Sequence, residues 1–263
     1  MPKEDKQPWL SIVTVVKDDP TGFDCTRESI LSQTLSNYEW IVIDSSSVKL
    51  KQTGVTAYKW VEPQGIFQAM NVGLTLCEGR YVLFLNAGDC LEGPSTLERI
   101  RFLSEGVQLE TVLFGDVTFV EQDGTPLTPP PLEFELEREH FFTRGRFPPH
   151  QGLLTPPKLL RQAGGFDESF TIASDYKTLL KLSKDAKFLY IPIVISNFAL
   201  GGISSQRRVA SAREFHRARM EVYSREEFSE LTAHLSFLRE LAAVTAVKLR
   251  SVVSSTSSAL RQK

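Results

Sequence analysis

The chain has 263 residues, 41% of them hydrophobic and 24% charged, with a formal net charge of −2. That balance belongs to a globular protein able to bury a core without disulfides or a structural metal, and near-neutrality argues against a general nucleic-acid role. No stretch approaches the ~18 consecutive apolar residues of a membrane span, and the N-terminal MPKEDKQPWL has no apolar leader, so a cytoplasmic protein is expected.

Residues 1–8 are polar and read as a disordered N-terminus. Leu10 to Val16 reads as a buried strand that stops at Lys17-Asp18-Asp19-Pro20, a turn cluster. A helix is predicted from Cys25 to Gln33. Glu39 to Asp44 is a second strand, Tyr58 to Val61 a third. Ile66 to Leu76 reads as a helix and Tyr81 to Leu85 as a fourth strand, running directly into Asn86-Ala87-Gly88-Asp89. This order predicts an α/β fold with a mostly parallel central sheet flanked by helices. Asp44 and Asp89 then end strands on one edge of the sheet, where open α/β sheets place ligands.

Further on, Ser95 to Leu103 suits a helix, with Ser95 and Glu98 in capping-box spacing. Thr111 to Val117 is a strand region and Gly124 to Pro131 a proline-rich loop. Arg146 to Gly152 is a turn carrying His150 and Gln151, and Pro157 to Gln162 a short helix. Ser174-Asp175 opens a helix from Tyr176 to Ser183. Phe188 to Ile193 is a late strand, and Pro192 predicts an edge position for it. The chain turns helical from Ala210. Residues 209–263 form a helical extension to a domain at 9–208, with the stripe Leu231, Leu235, Leu238, Ala242, Thr245, Leu249, Val252. After Glu240 the charged residues are Lys248, Arg250, Arg261 and Lys263. Such a basic amphipathic end can lie on an anionic membrane surface, or pack on its own domain or on a partner.

Asp89 follows two small residues that let a bulky anion approach the backbone. One carboxylate and the phosphates of a nucleotide diphosphate are a usual way to hold Mg²⁺ or Mn²⁺. Asp175 sits where a helix dipole keeps a carboxylate ionised, and an ionised Asp in a cleft can act as general base. His150 could bond a phosphate or an acceptor sugar. Cys25, Cys77 and Cys90 lack metal-ligand spacing, as do His140, His216 and His234. Taken singly, each of these residues also fits an ordinary turn, cap or surface role.

Their order is more specific. The runs Ile12-Val13-Thr14-Val15-Val16, Glu39-Trp40-Ile41-Val42-Ile43-Asp44, Gly65 to Gly73 (GIFQAMNVG) and Phe84-Leu85-Asn86-Ala87-Gly88-Asp89 come first. His150-Gln151, Gly165-Phe166-Asp167, Ser174-Asp175-Tyr176 and Gly201-Gly202-Ile203-Ser204 follow. Across residues 9–206 this pattern resembles glycosyltransferase family two, nearest the bacterial exopolysaccharide branch of colanic-acid type. The resemblance implies a GT-A fold, a nucleotide-diphospho-sugar donor, a divalent cation and inversion at the anomeric carbon. It further implies that Thr14, Asp44, Gly65, Asn71 and Asn86 border the donor, that Asp89 is the metal ligand and that Asp175 is the catalytic base. Gly201 and Gly202 fall in a loop over the donor, with His150 and Gln151 on the acceptor side. A glycan or lipid-linked acceptor and a place at the inner face of the membrane complete the expectation.

The segment after Asp44 reads Ser45-Ser46-Ser47-Val48-Lys49 where the family has Gly-Gly-Ser-Thr-Asp, and Gln64 and Gln68 stand where the branch often carries acids. Asp89 and Asp175 are kept, which favours an active transferase over a GT-A domain that binds a nucleotide or partner without turnover. A nucleotidyltransferase is disfavoured because no glycine-rich basic loop follows the first strand.

Overall fold

The computed structural model describes residues 7–50, 52–121, 124–127, 147–200, 207–223 and 237–238. Four parallel strands form the central sheet: β1 (Leu10–Val16), β2 (Tyr38–Asp44), β3 (Ala57–Trp60) and β4 (Tyr81–Phe84), in the order β3-β2-β1-β4. The register runs from Leu10 opposite Tyr38 to Val16 opposite Asp44. Side chains alternate across the strand, as the pleat requires. Ile12 and Val16 point to one face, with Trp40, Val42 and the Phe23 and Ile30 of helix α1 (Pro20–Leu31). Val13 and Val15 point to the other, with Ile41, Ile43 and the Phe67, Met70 and Leu74 of α2 (Ile66–Leu76). Both faces are covered, which is why these strands read as unbroken apolar runs. A Cβ on Gly73 would lie 2.4 Å from Val13 Cγ1, so the glycine lets α2 lie directly on β1.

A second, mixed sheet has the order β5-β9-β6-β7, from β5 (Cys90–Leu91), β9 (Lys187–Ala199), β6 (Thr111–Val120) and β7 (Pro126–Leu127). The short β8 (Leu153–Leu154) pairs antiparallel with β6. Thr155, next in the chain, exchanges backbone hydrogen bonds of 2.8 and 3.0 Å with Val82 of β4, so this segment stitches the two sheets together. Helices α3 (Thr96–Leu103), α4 (Pro157–Gln162), α5 (Ser174–Asp185) and α6 (Arg208–Val222) complete the described architecture. The helical extension expected from 209 therefore begins in α6, which packs on α5. Its Glu214 carboxylate accepts the backbone N–H groups of Thr171, Ile172 and Ala173 just ahead of α5. Apart from residues 237–238, the remainder of the extension, with its basic end, lies outside the described residues.

Two elements differ from expectation, and a third meets it only locally. Helix α1 starts at Pro20, five residues before Cys25. Asp19 caps it, its Oδ1 accepting from Gly22 N at 2.9 Å, and a proline at the first helical position has no N–H to leave unpaired. At α3, Ser95 is the N-cap but makes no side-chain cap bond. Glu98 Oε2 instead accepts from Thr34 Oγ1 at 2.8 Å, so a long-range partner replaces the capping box. Strand β9 stands between β5 and β6 in the sheet order, but β5 pairs only with its Ser196 and Asn197, so among the described residues the stretch with Pro192 has β6 on one side and the open side expected for it. Pro192 is tolerated because the β6 register shifts between Phe114–Tyr190 and Asp116–Val194, leaving the proline exposed in the irregularity.

Candidate active site

The carboxyl ends of β1 and β4 open into a cleft of about 670 Å³. Lys17 and Asp19 stand on one side, Ile66 and Met70 of α2 on another, and Asn86, Asp89, His150, Gln151 and Asp175 line its polar part.

The acidic turn is built from both neighbours. Leu85 N and Ala87 N donate to Val13 O and Val15 O at 2.9 and 3.1 Å, carrying the chain alongside β1 beyond the end of β4. Asp89 N then donates to Asn86 O at 3.0 Å and closes the turn, with Gly88 at φ +94°, a backbone conformation that favours glycine. Thr26 of α1 holds the turn from beneath. Its Oγ1 lies 2.8 Å from Asp89 O and 3.2 Å from Asn86 O and accepts from Gly88 N at 3.1 Å. Sequence reasoning missed Thr26, whose one signal is a hydroxyl on the buried face of an amphipathic helix.

Asp89 is only 4% exposed, and its Oδ2 accepts from Gln151 Nε2 at 3.1 Å. Burial pushes its carboxyl up to about 6, although hydrogen bonds from Gln151, Ala199 and Asn86 pull it back in part. Beside it, Asn86 Oδ1 is buried and has no hydrogen-bond partner among the described residues. A buried carboxylate and an orphaned amide oxygen on one turn fit a divalent cation, which takes oxygen ligands. Among the described residues no group of three or more metal-binding side chains exists. The protein would therefore hold such a cation with few ligands of its own, as Mg²⁺ is held at nucleotide sites.

Asp175 lies in the first turn of α5. Its Oδ1 accepts from Tyr176 N at 2.8 Å, and its Oδ2 is 3.0 Å from His150 Nδ1. His150 Nε2 is in turn 3.1 Å from Asn86 Nδ2. The consecutive residues His150 and Gln151, on the 3₁₀ turn His150–Gly152, thus reach Asp175 and Asp89 respectively. Ser196 of β9 pins that turn by donating to Gln151 O at 2.8 Å.

The residues expected to border the donor separate into a front and a back row. Asn86 lines the cleft, and Gly65, at φ +117°, precedes Ile66 at its mouth. Thr14 is buried and accepts from Trp40 Nε1 at 3.0 Å, while the residues after it, Val15 to Lys17, face the cleft. Asp44 is fully buried. Its oxygens accept from Ser46 N (2.8 Å), Leu50 N (3.0 Å) and Tyr58 Oη (2.6 Å), so it organises the loop after β2. Burial pushes the Asp44 carboxyl up, but these hydrogen bonds outweigh it and hold the group below its ordinary value. Asn71 bonds Phe166 N and O and Glu168 Oε1, all at 2.8 Å, and ties α2 to the loop ahead of α5. Gly201 and Gly202 lie outside the described residues.

No family model matches the sequence. Among curated proteins, the chain is 29% identical over 210 residues to an uncharacterized glycosyltransferase of Mycobacterium tuberculosis, covering 76% of this chain and 78% of that one. It is 23% identical over 215 residues to a PGL/p-HBAD biosynthesis glycosyltransferase of Mycobacterium bovis, covering 75% and 80%. Among solved structures, TarS of S. aureus (residues 1–349) in complex with UDP-GlcNAc superposes with a TM-score of 0.63 at 15% identity, over 81% of this chain and 65% of that one. The mannosyltransferase PcManGT of Pyrobaculum calidifontis, in complex with GDP-Man and Mn²⁺, gives 0.56 at 15% identity, over 98% and 82%. The fold is that of the GT-A glycosyltransferases.

Proposed function

We propose that this chain, which its similarities support as a glycosyltransferase, moves a sugar from a nucleotide-diphospho-sugar to an acceptor hydroxyl, with a divalent cation and inversion at the anomeric carbon. One observation carries the reading. A buried, cation-seeking Asp89 and an ionisable Asp175 face one cleft, each held by one of two consecutive residues, Gln151 and His150. The complexes of TarS with UDP-GlcNAc and of PcManGT with GDP-Man and Mn²⁺ support a nucleotide-sugar donor and Mn²⁺ or Mg²⁺ at this edge.

In this reading Asp89 and the unpartnered Oδ1 of Asn86 would hold the cation. When bound, such an ion neutralises charge on a departing diphosphate. Asp175 accepts the proton of the acceptor hydroxyl while that oxygen bonds to the anomeric carbon. The electron pair of the breaking carbon–oxygen bond goes to the diphosphate, which leaves from the opposite face. The leaving group is stable, so one base suffices and no flanking pair of catalytic carboxylates is required. The cleft wall of Val15, Met70 and Phe147 limits water, the competing acceptor.

The acceptor in this reading is a glycan or a lipid-linked glycan. No helix among the described residues is long and apolar enough to cross a membrane. Release of nucleotide diphosphate from a panel of UDP-, GDP- and dTDP-sugars, with Mn²⁺ or Mg²⁺, tests the reading. Cation-dependent release that is lost in Asp175→Asn is expected. Absence of release from every donor contradicts it and leaves a nucleotide- or partner-binding module.

A further inference from the structure

We infer that His150 is a positioning residue, a neutral imidazole with its proton on Nδ1, which orients the Asp175 carboxylate while Asn86 fixes the tautomer. The inference rests on the proposed role of Asp175 as base and adds a residue that acts through it.

The hydrogen-bond geometry leaves little choice. Asn86 Nδ2, 3.1 Å from His150 Nε2, can only donate, so Nε2 must be the unprotonated, accepting nitrogen. The ring proton of a neutral imidazole then lies on Nδ1, 3.0 Å from Asp175 Oδ2, where it donates to a carboxylate. The opposite tautomer would set an N–H against an N–H at Asn86 and a lone pair against an anion at Asp175. The amide stands with Nδ2 toward the ring and with Oδ1 buried and unpartnered among the described residues. One side chain thus offers its oxygen to the donor side and its N–H to the ring that holds the base.

The arrangement constrains both Asp175 oxygens. Oδ1 takes the Tyr176 N–H and Oδ2 takes the His150 N–H, so the carboxylate plane is fixed and each oxygen keeps a lone pair for an acceptor hydroxyl. The ring is itself held by the 3₁₀ turn and by the bond of Ser196 to Gln151 O. His150 and Asp175 are 18% and 19% exposed, so water competes only weakly for these bonds. Loss of the donor would let the carboxylate rotate, which costs rate through misplacement rather than through donor binding.

Two substitutions separate the nitrogens. In His150→Asn the amide N–H can take the place of Nδ1–H toward Asp175. In His150→Gln the longer amide reaches the place of Nε2 and leaves Asp175 without its partner. Expected is kcat about tenfold or more lower in His150→Gln than in His150→Asn, with affinity for UDP or GDP in the presence of Mn²⁺ equal in both. Equal kcat in the two variants, or loss of nucleotide affinity in either, overturns the inference. A second readout needs no activity. Nitrogen-15 spectra of the full chain labelled at its four histidines identify His150 as the signal absent from His150→Gln. At pH 8 a protonated Nδ1 and an unprotonated Nε2 are expected, and a proton on Nε2 overturns the assignment. If no donor turns over, the transferase reading fails by its own test, while the spectra still decide the tautomer and the hydrogen bond.

Discussion

Asp44 ends β2 and Asp89 follows β4, the two strands that flank β1, and both are almost wholly buried. Their surroundings are opposite. Asp44 receives two backbone N–H groups and the Tyr58 hydroxyl, and these overcome the cost of burial and hold its carboxyl below the ordinary range. Asp89 receives Gln151 and weaker help from the backbone of Ala199 and Asn86, and burial still pushes its carboxyl up to about 6. The hydrogen bonds of Asp44 outweigh its burial, and it shapes a loop. Those of Asp89 do not, and it stands beside the orphaned Oδ1 of Asn86 on the cleft. Sequence position does not separate the two, and the balance of burial against hydrogen bonding does.

The comparison can be broken most sharply at Asp89. Asp89→Asn keeps the shape and removes the charge. We expect sugar transfer to fall by roughly 10²–10³-fold, the usual cost of removing a group that stabilises developing charge, while the melting temperature without metal stays level or rises. Steady-state kinetics beside a thermal melt at pH 7.5 checks this pair of outcomes. A large drop in melting temperature would mean that Asp89, like Asp44, is structural.

The two acids should also respond to pH with opposite signs. The folded-state pKa of Asp89, about 6, lies above its unfolded value of about 3.9, so folding favours the protonated form. Its ionisation therefore opposes folding above pH 6, by about 3 kcal/mol at most, and this burden disappears as pH falls toward 4. Asp44 is held below its unfolded value, so its contribution is present above about pH 4 and is lost as pH falls through the depressed folded value. Urea unfolding of wild type, Asp89→Asn and Asp44→Asn without metal, between pH 3 and 8, isolates each difference. Relative to wild type, Asp89→Asn should gain stability as pH rises through 6, and Asp44→Asn should lose it as pH rises from 3 to 5.

At neutral pH, Asp44→Asn is expected to cost about 2 kcal/mol, because an amide in that place loses charge-assisted hydrogen bonds and turns a donor toward a donor. Its catalytic loss should follow the disturbed loop and be smaller than that of Asp89→Asn. The mildest test is Thr26→Val, which removes the hydroxyl beneath the acidic turn at nearly constant volume. We expect about 1 kcal/mol less stability in a chemical melt and a weakened response to Mn²⁺.

Much of this was legible in the chain. β1, β2 and β4 are short apolar runs that end in polar turns, and that pattern located the edge on which Asp89 stands. The first-turn position of Asp175 was legible because helix starts have local chemistry. What stayed hidden depends on partners far apart in sequence. Thr26 meets Asp89 across 63 positions, and Gln151 meets it across 62, with no periodicity to announce either. Asn71, expected beside the nucleotide, bonds Phe166, 95 positions away. The capping box at Ser95 failed for the same reason, since Thr34 takes the Glu98 carboxylate.

Calorimetric titration of UDP and GDP into wild type and Asp89→Asn, each with Mn²⁺ and with a chelator, tests the central claim most directly. Wild type should bind at least one of the two nucleotides about tenfold or more tightly with Mn²⁺ than without. Asp89→Asn, folded as judged by its melt, should lose that dependence on the ion. Equal Mn²⁺-dependent affinity in the two proteins would contradict the assignment of the Asn86–Asp89 turn as the cation and diphosphate site.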